Sequence, residues 1–235
     1  MDKLLTAGSA SKWEGFRATK RYDLLAALPL LIWCAFAVGV QSPLLFRRLV
    51  DLCLGTIALK DFLQFVAILG SVAFNLTAIH FLFVRKKAVA KSKGALTRII
   101  ALVAAFMGNS MLLLPAAHLT LGMQAVSNLL VFGGSGAALF VLSRLGRSFS
   151  ILPEARELNI SGPYAVVRHP LYAAETIVSM GQMLQFQQPW ALMIMMAGFV
   201  LMYLRAVCEE RVLSGEYPQY AAYSARTPRF FPGLF

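Results

Sequence analysis

The residues best suited to chemistry crowd into two short stretches. The first, GPYAVVRHPLYAAE at 162–175, holds Tyr164, Arg168, His169, Tyr172 and Glu175. The second, RAVCEERVLSGEYPQYAAY at 205–223, holds Arg205, Glu209, Glu210, Tyr217, Tyr220 and Tyr223. Tyrosine faces attract cations, a carboxylate holds an ammonium, and a guanidinium orients a carboxylate. Together they suit a cationic, amino-acid-like ligand. Neither stretch contains a glycine-rich phosphate loop, a metal-ligand set or a nucleophile paired with a base, so no metal site is expected. Methyl transfer from a sulfonium needs only alignment, desolvation and a charge-tolerant site. The residues permit that chemistry without selecting it.

The local sequence indicates how these groups are delivered. Ser161-Gly162-Pro163 reads as a turn, and Tyr164–Arg168 as a short helix or turn. His169 precedes Pro170, which pushes its backbone toward extended conformations. Pro170 fits the first turn of a following helix, where its missing N–H costs nothing. Arg205 and Glu209 are four apart and share a helix face, whereas Glu210 points elsewhere. Tyr217, Tyr220 and Tyr223 recur every three residues and can line one side of a short helix. Phe230-Phe231-Pro232 reads as an interfacial wedge. The 27 residues of 144–170 show no strong period, and loops of that length in a compact domain are often functional. Glu175 falls about one turn inside the next helix, where a carboxylate is expensive and must face protein or water. It is either functional or paired with an arginine such as Arg168.

The rest of the chain is built for lipid. Of 235 residues, 58% are hydrophobic and 14% charged, with mean hydropathy +0.66. A soluble domain carries roughly 25% charged residues. Runs near the twenty residues that cross a bilayer occur at 24–46, 62–84, about 96–117, about 121–143, 171–187 and 189–207. Six spans is the best count, with five as the alternative because 171–187 is short. The basic residues test the count. The first tail (Lys3, Lys12, Arg17, Lys20, Arg21), the second loop, the fourth loop and the last tail hold nineteen, against three (Arg47, Arg48, Lys60) in the remaining loops. The positive-inside rule then places both termini and 144–170 in the cytoplasm. The net charge of +11 is thus explained by topology rather than nucleic acid. The polar start precedes an apolar run too long for a signal peptide, so no cleaved leader is expected.

Gly108, Ser110, Gly133, Gly134, Ser135 and Gly136 are expected to let helices approach closely. Asn75, His80, Asn109 and His118 read as interhelical hydrogen-bond partners or interfacial residues. Cys34, Cys53 and Cys208 read as small apolar packing residues, and the ten methionines as filler. The expected fold is an all-α, polytopic membrane bundle forming one integrated domain. Its parts are N-terminal helices without motif (1–117) and a core (118–235) made of a loop at 144–170, a hairpin at 171–207 and a lid at 208–235.

The run SGPYAVVRHPLY, followed by RAVCEERVL and YPQYAAYSARTPRFFPG, resembles the isoprenylcysteine carboxyl methyltransferase family of membrane enzymes. It is also similar to the wider group that includes phospholipid N-methyltransferases. The resemblance covers roughly 120–235. It implies an S-adenosylmethionine site, with S-adenosylhomocysteine as product, between the R-H-P loop and the C-terminal helices. Tyr164, His169, Pro170, Leu171 and Tyr172 match cofactor-contact positions, and Leu158 and Asn159 fall where backbone contacts are expected. Glu209 matches the carboxylate at the cofactor's amino-acid end. Arg205 matches a substrate-side arginine, so Arg205 and His169 are the expected catalytic pair, with Glu175 also facing substrate. Arg156 stands where eukaryotic members carry a histidine and is left out. The spacing from Glu210 to Tyr217 is shorter than in eukaryotic members, which leaves the lid's shape open.

The implied acceptor is a lipophilic or lipidated molecule. An isoprenylcysteine-like carboxylate is favoured over a phospholipid amine or a small thiol. Two readings of other classes compete: a sterol-reductase-like enzyme using NADPH, and a non-enzymatic membrane protein. The sparse intramembrane charge argues against an ion-coupled transporter. The oligomeric state stays open.

Overall fold

The structure, a computed structural model, describes residues 20–92 and 94–233, with the side chains of residues 20, 21, 108, 109 and 112 outside the description. The basic residues Lys3, Lys12, Arg17 and Lys93, and the side chains of Lys20, Arg21 and Asn109, therefore lie outside the described residues. The chain is a helical bundle. Its elements are α1 (Lys20–Cys53), α2 (Leu59–Val84), α3 (Ala95–Met107) with a 3-10 turn at Gly108–Leu113, α4 (Leu121–Leu145), α5 (Pro163–Val166), α6 (Pro170–Leu184), α7 (Trp190–Glu216) and α8 (Tyr220–Arg226). Two-residue strands β1 (Ala90–Lys91) and β2 (Glu154–Ala155) pair antiparallel, Ala90 with Ala155 and Lys91 with Glu154.

Among the described residues, four helices, α1, α2, α4 and α7, are long and apolar enough to cross a membrane. Their outward faces carry large apolar side chains such as Ile32, Phe36, Val40, Leu129, Met193 and Val200. Lipid is the solvent that tolerates such a surface. The other two expected spans are shorter than the sequence suggested. The third is a 13-residue helix that tightens into a 3-10 turn at Gly108. The fifth, α6, has 15 residues, about 22 Å at 1.5 Å per residue, and stops at Leu184 rather than 187.

Small residues decide which helices touch. A Cβ on Gly134 would lie 2.8 Å from the backbone N of Val178, and one on Gly181 would lie 2.8 Å from Ser127 O. These glycines let α4 and α6 meet backbone to backbone, and Ser127 Oγ donates across the seam to Gly181 O at 2.8 Å. Gly133 and Gly136 have nothing within 4 Å, so only part of the small-residue run packs. Cys34 and Cys208 are buried as expected, whereas Cys53 is exposed. Asn75 is buried; His80 and His118 are exposed.

One end of the bundle is tied by buried charge. Asp23, in the first turn of α1, accepts from Arg85 Nε and Arg156 Nη2, both at 2.7 Å, and Arg156 also pairs with Glu154 at 2.7 Å. Burial and the neighbouring Arg156 lower the Arg85 pKa, the direction Asp23 opposes. Lys86 N donates to Arg147 O and Val89 N to Ala155 O. The start of α1, the end of α2 and the loop after α4 are thereby fixed on one face of the bundle.

The α4–α6 seam generates a paired prediction. Gly134→Ala should lower the thermal midpoint of the detergent-solubilised protein, a cost of about 1–3 kcal/mol from overpacking. Gly133→Ala, one residue away, should leave it unchanged or raise it, because the site is open and alanine is the better helix former.

Candidate active site

The loop at 146–169 is ordered by its own hydrogen bonds and by the tail. Gly146 ends α4 with φ +54, the left-handed region where glycine is favoured. Asn159 Nδ2 donates to Arg144 O at 3.2 Å, and its Oδ1 accepts from Ser161 N at 3.2 Å. Pro170 opens α6 at its first helical turn, as the sequence indicated, whereas the short helix expected over Tyr164–Arg168 is α5, which starts at Pro163 and ends at Val166. Between them, Arg168 N donates to Pro228 O at 2.8 Å and His169 N to Arg229 O at 3.0 Å. The tail therefore pairs with the R-H-P segment through backbone as well as side chains.

Consecutive carboxylates on α7 divide the work. Glu210 accepts from Arg229 Nε and Nη2, both at 2.9 Å, from Arg168 Nη1 at 3.1 Å, and stands 3.0 Å from His169 Nε2. Glu209 turns the other way. Its Oε1 accepts from Tyr172 Oη at 2.5 Å and Arg205 Nε at 3.2 Å, and Oε2 lies 4.0 Å from His169 Nδ1. Arg205, only 6% exposed, also donates to Ser150 O at 3.3 Å and lies 4.8 Å over the Tyr172 ring. His169 stacks on Tyr172 with ring centroids 5.3 Å apart. Arg168, one of the two readings for Glu175, instead belongs to Glu210.

These groups enclose a polar cavity of about 110 Å³. Its wall includes Leu158, Asn159, Tyr164, His169, Leu171, Tyr172, Arg205 and Glu209. Every site residue expected from the sequence lines it except Pro170, which starts α6, and Glu175. Tyr220 and Tyr223 also line it, from α8, while Tyr217 falls outside that helix and closes α7. Tyr223 Oη donates to Tyr164 O at 2.6 Å. Burial pushes the Tyr223 phenol up to about 12 and raises Tyr164 and Tyr220 further, so all three stay neutral donors. The expected Phe230-Phe231 wedge divides: Phe230 is buried against His169, Phe199 and Tyr203, and Phe231 is half exposed.

Glu175 faces a second, larger and mainly apolar cavity of about 540 Å³. Helices α1, α2, α3, α4, α6 and α7 wall it, through residues such as Trp33, Phe74, Ala104, Ala138, Thr176 and Phe199. Two parts of this arrangement carry no signal in the sequence. Arg229 as a partner of Glu210 had no motif, and the contribution of α1 and α2 to a cavity had no local signal. The two acids in sequence, Glu209 and Glu210, were the visible cue for the first. Among the described residues, no group of His, Cys, Asp and Glu is arranged to hold a metal ion.

A helical membrane bundle with this polar mouth defines a class, and the chain's relatives narrow it. Residues 116–220 match the phospholipid methyltransferase family. That family is part of the group of membrane methyltransferases that also holds the isoprenylcysteine carboxyl methyltransferases. The chain is 34% identical over 117 residues to the cobalt-zinc-cadmium resistance protein CzcN of Cupriavidus metallidurans, which covers 49% of this chain and 50% of that protein. It is 33% identical over 120 residues to the nickel-cobalt-cadmium resistance protein NccN of Alcaligenes xylosoxydans xylosoxydans, covering 51% and 52%. The match thus spans about half the length of each relative.

The tail's grip on Glu210 is testable. Arg229 is a quarter exposed, so its ion pair is worth about 1 kcal/mol or less. Arg229→Ala should speed tryptic cleavage at Arg226 by roughly two- to fivefold, read by mass spectrometry of the released tail peptide.

Proposed function

We propose that the chain is an integral membrane methyltransferase that uses S-adenosylmethionine and methylates a lipophilic acceptor drawn from the bilayer. One observation carries this reading. Phe149, Leu171, Tyr172 and Arg205 line both the polar and the apolar cavity, so the two sites adjoin at a shared wall. The family match supports methyl as the group transferred there.

The polar cavity's donor set fits the cofactor. Glu209 is placed to take the ammonium of its amino-acid end, and Leu158 and Asn159 offer backbone groups. Neutral tyrosines offer ring faces to a cation. When bound, the cofactor supplies an activated methyl on a positively charged sulfur. The protein's part is positional. Arg205, held by Glu209 and Ser150 O, orients an acceptor carboxylate at the shared wall. A carboxylate is already ionised at neutral pH, so carboxyl O-methylation requires no general base. His169, gripped by Glu210 and stacked on Tyr172, fixes the floor of the site. The tail and α8 cover the cavity and exclude water. A second reading, N-methylation of an amine lipid, is favoured by Glu175, a carboxylate on the acceptor side of the wall.

The same reading gives α3 with its 3-10 turn, and α6, as the third and fifth of six crossings. It puts both termini, 85–94 and 144–170 on the cytoplasmic side of a bacterial inner membrane or endoplasmic reticulum. Cys53, the exposed cysteine at the far end of α1, reports on this directly. A membrane-impermeant maleimide should label it from outside intact cells or from the lumen of microsomes. Labelling only from the cytoplasmic side reverses the topology.

The cofactor assignment is tested by binding. S-adenosylhomocysteine should raise the melting temperature of the purified protein, and NADPH should not. Glu209→Gln should weaken S-adenosylhomocysteine binding roughly ten- to a hundredfold, the loss of one charge-assisted contact, measured by titration calorimetry on folded protein. His169→Ala should lose most methyl incorporation from radiolabelled S-adenosylmethionine into membrane fractions. Wild-type affinity in the first variant removes Glu209 from the site.

A further inference from the structure

The apolar cavity is not uniformly apolar. Ser71 and Asn75 on α2 and Ser135 on α4 line it together. Asn75 is 9% exposed and Ser135 4%. A hydroxyl in a lipid-embedded helix ordinarily bonds back to a carbonyl of its own preceding turn. Ser143 does so to Phe140 O, Thr176 to Tyr172 O and Ser179 to Glu175 O. Ser135 does not, and its hydroxyl finds no hydrogen-bond partner among the described residues. Asn75 spends one N–H on Ser71 O at 2.8 Å, which leaves its second N–H and its Oδ1 unengaged. Unpaired polar groups in an apolar setting are costly. Here they are gathered at one place and open to the cavity.

The position of this cluster is set by packing. Ser135 follows Gly134, which abuts Ala174 and Val178, and a Cβ on Gly70, next to Ser71, would lie 3.3 Å from Ser135 Cβ. Val178 lies six residues beyond Tyr172, about 9 Å along α6. The cluster is therefore displaced from the shared wall by that order of distance, toward the interior of the bundle.

We propose that Ser71, Asn75 and Ser135 form a specificity station for the acceptor, taking a hydroxyl or carbonyl oxygen carried on its chain about 9 Å from the methyl-accepting end. The inference rests on the apolar cavity being the acceptor site. It distinguishes an oxygen-bearing lipid chain from an unbroken hydrocarbon one. A plain chain would leave the Ser135 hydroxyl and the rest of the Asn75 amide unsatisfied, whereas an oxygen at that place gives them a partner.

Trp33 lines the same cavity and supplies the readout. In full-length protein in nanodiscs with Trp13→Phe and Trp190→Phe, Trp33 is the sole tryptophan. Brominated stearate quenches it on binding. Displacement is then measured with stearate and with hydroxy- and ketostearates whose oxygen is moved stepwise from near the carboxylate toward mid-chain. One position should displace the probe roughly three- to tenfold better than stearate, the worth of a net hydrogen bond. Ser135→Ala and Asn75→Leu should each reduce that preference, with stearate bound as tightly as by the wild type or more tightly, because the unsatisfied polar group is gone. The inference is overturned if no position beats stearate, if the preference survives both substitutions, or if brominated stearate fails to quench. S-adenosylhomocysteine binding is measured on the same samples. Retained cofactor binding without an oxygen preference sinks this inference alone, and absent cofactor binding sinks the methyltransferase reading. Should either variant unfold, the wild-type displacement series still decides.

Discussion

Glu210 is the residue around which the functional end of the molecule is assembled. One carboxylate receives Arg229 in a forked pair, Arg168 from the loop before α6, and the His169 ring. Two chain segments distant from it in sequence, 168–169 and 229, converge on it. A buried charge of this kind adds little net stability once desolvation is counted, yet removing one partner leaves another uncompensated. Its consequence is uniqueness of arrangement. With Arg168 and Arg229 held, the backbone pairing of 168–169 with 228–229 follows, and Phe230 is drawn under His169. The neighbouring Glu209, about 100° around the helix, is left free to face the opposite side. There it meets Tyr172 and Arg205 and supplies the polar cavity with its carboxylate.

Arg205 is constrained from every side. It is pinned by Glu209 and Ser150 O and backed by the Tyr172 ring, yet lies on the wall common to both cavities. A guanidinium held this way has little freedom left to lose when it meets a partner, which is the advantage of preorganisation. A lysine in its place would carry the charge without the fork that reaches both Glu209 and Ser150. The cation and the Glu175 carboxylate both border the apolar side. That pairing of opposite charges is what leaves carboxylate and amine acceptors as chemically distinct readings of one geometry.

Much of this was legible in the sequence because the determinants are local. Pro170 after His169 announces a helix start, the i, i+4 spacing of Arg205 and Glu209 announces a shared face, and four long apolar runs announce lipid-facing helices. What was not legible depends on tertiary placement. Glu210 gave no sign of its partners, since Arg168 is 42 residues away and Arg229 lies 19 beyond it. The fate of the third apolar run was hidden too: its hydropathy continues past Met107, but the backbone tightens to 3-10 there. Hydropathy reports length in lipid, and it is blind to a local change of helical pitch. The Asp23–Arg85–Arg156 tie was invisible for the same reason, because three segments must first fold before their charges meet.

The boundary of the family match carries its own argument. The polar cavity is lined by residues from Leu145 to Tyr223, nearly all inside the matched stretch of 116–220. The apolar cavity takes much of its wall from α1, α2 and α3, all before that stretch begins. A shared cofactor chemistry with a changing acceptor would produce this division, with one half held to a common pattern and the other free to vary. Under the proposed function, the side chains that select the acceptor are then to be sought among Trp33, Ser71, Asn75 and their neighbours. No motif of the matched domain reaches those positions, so the acceptor must be read from the cavity's own polarity and shape.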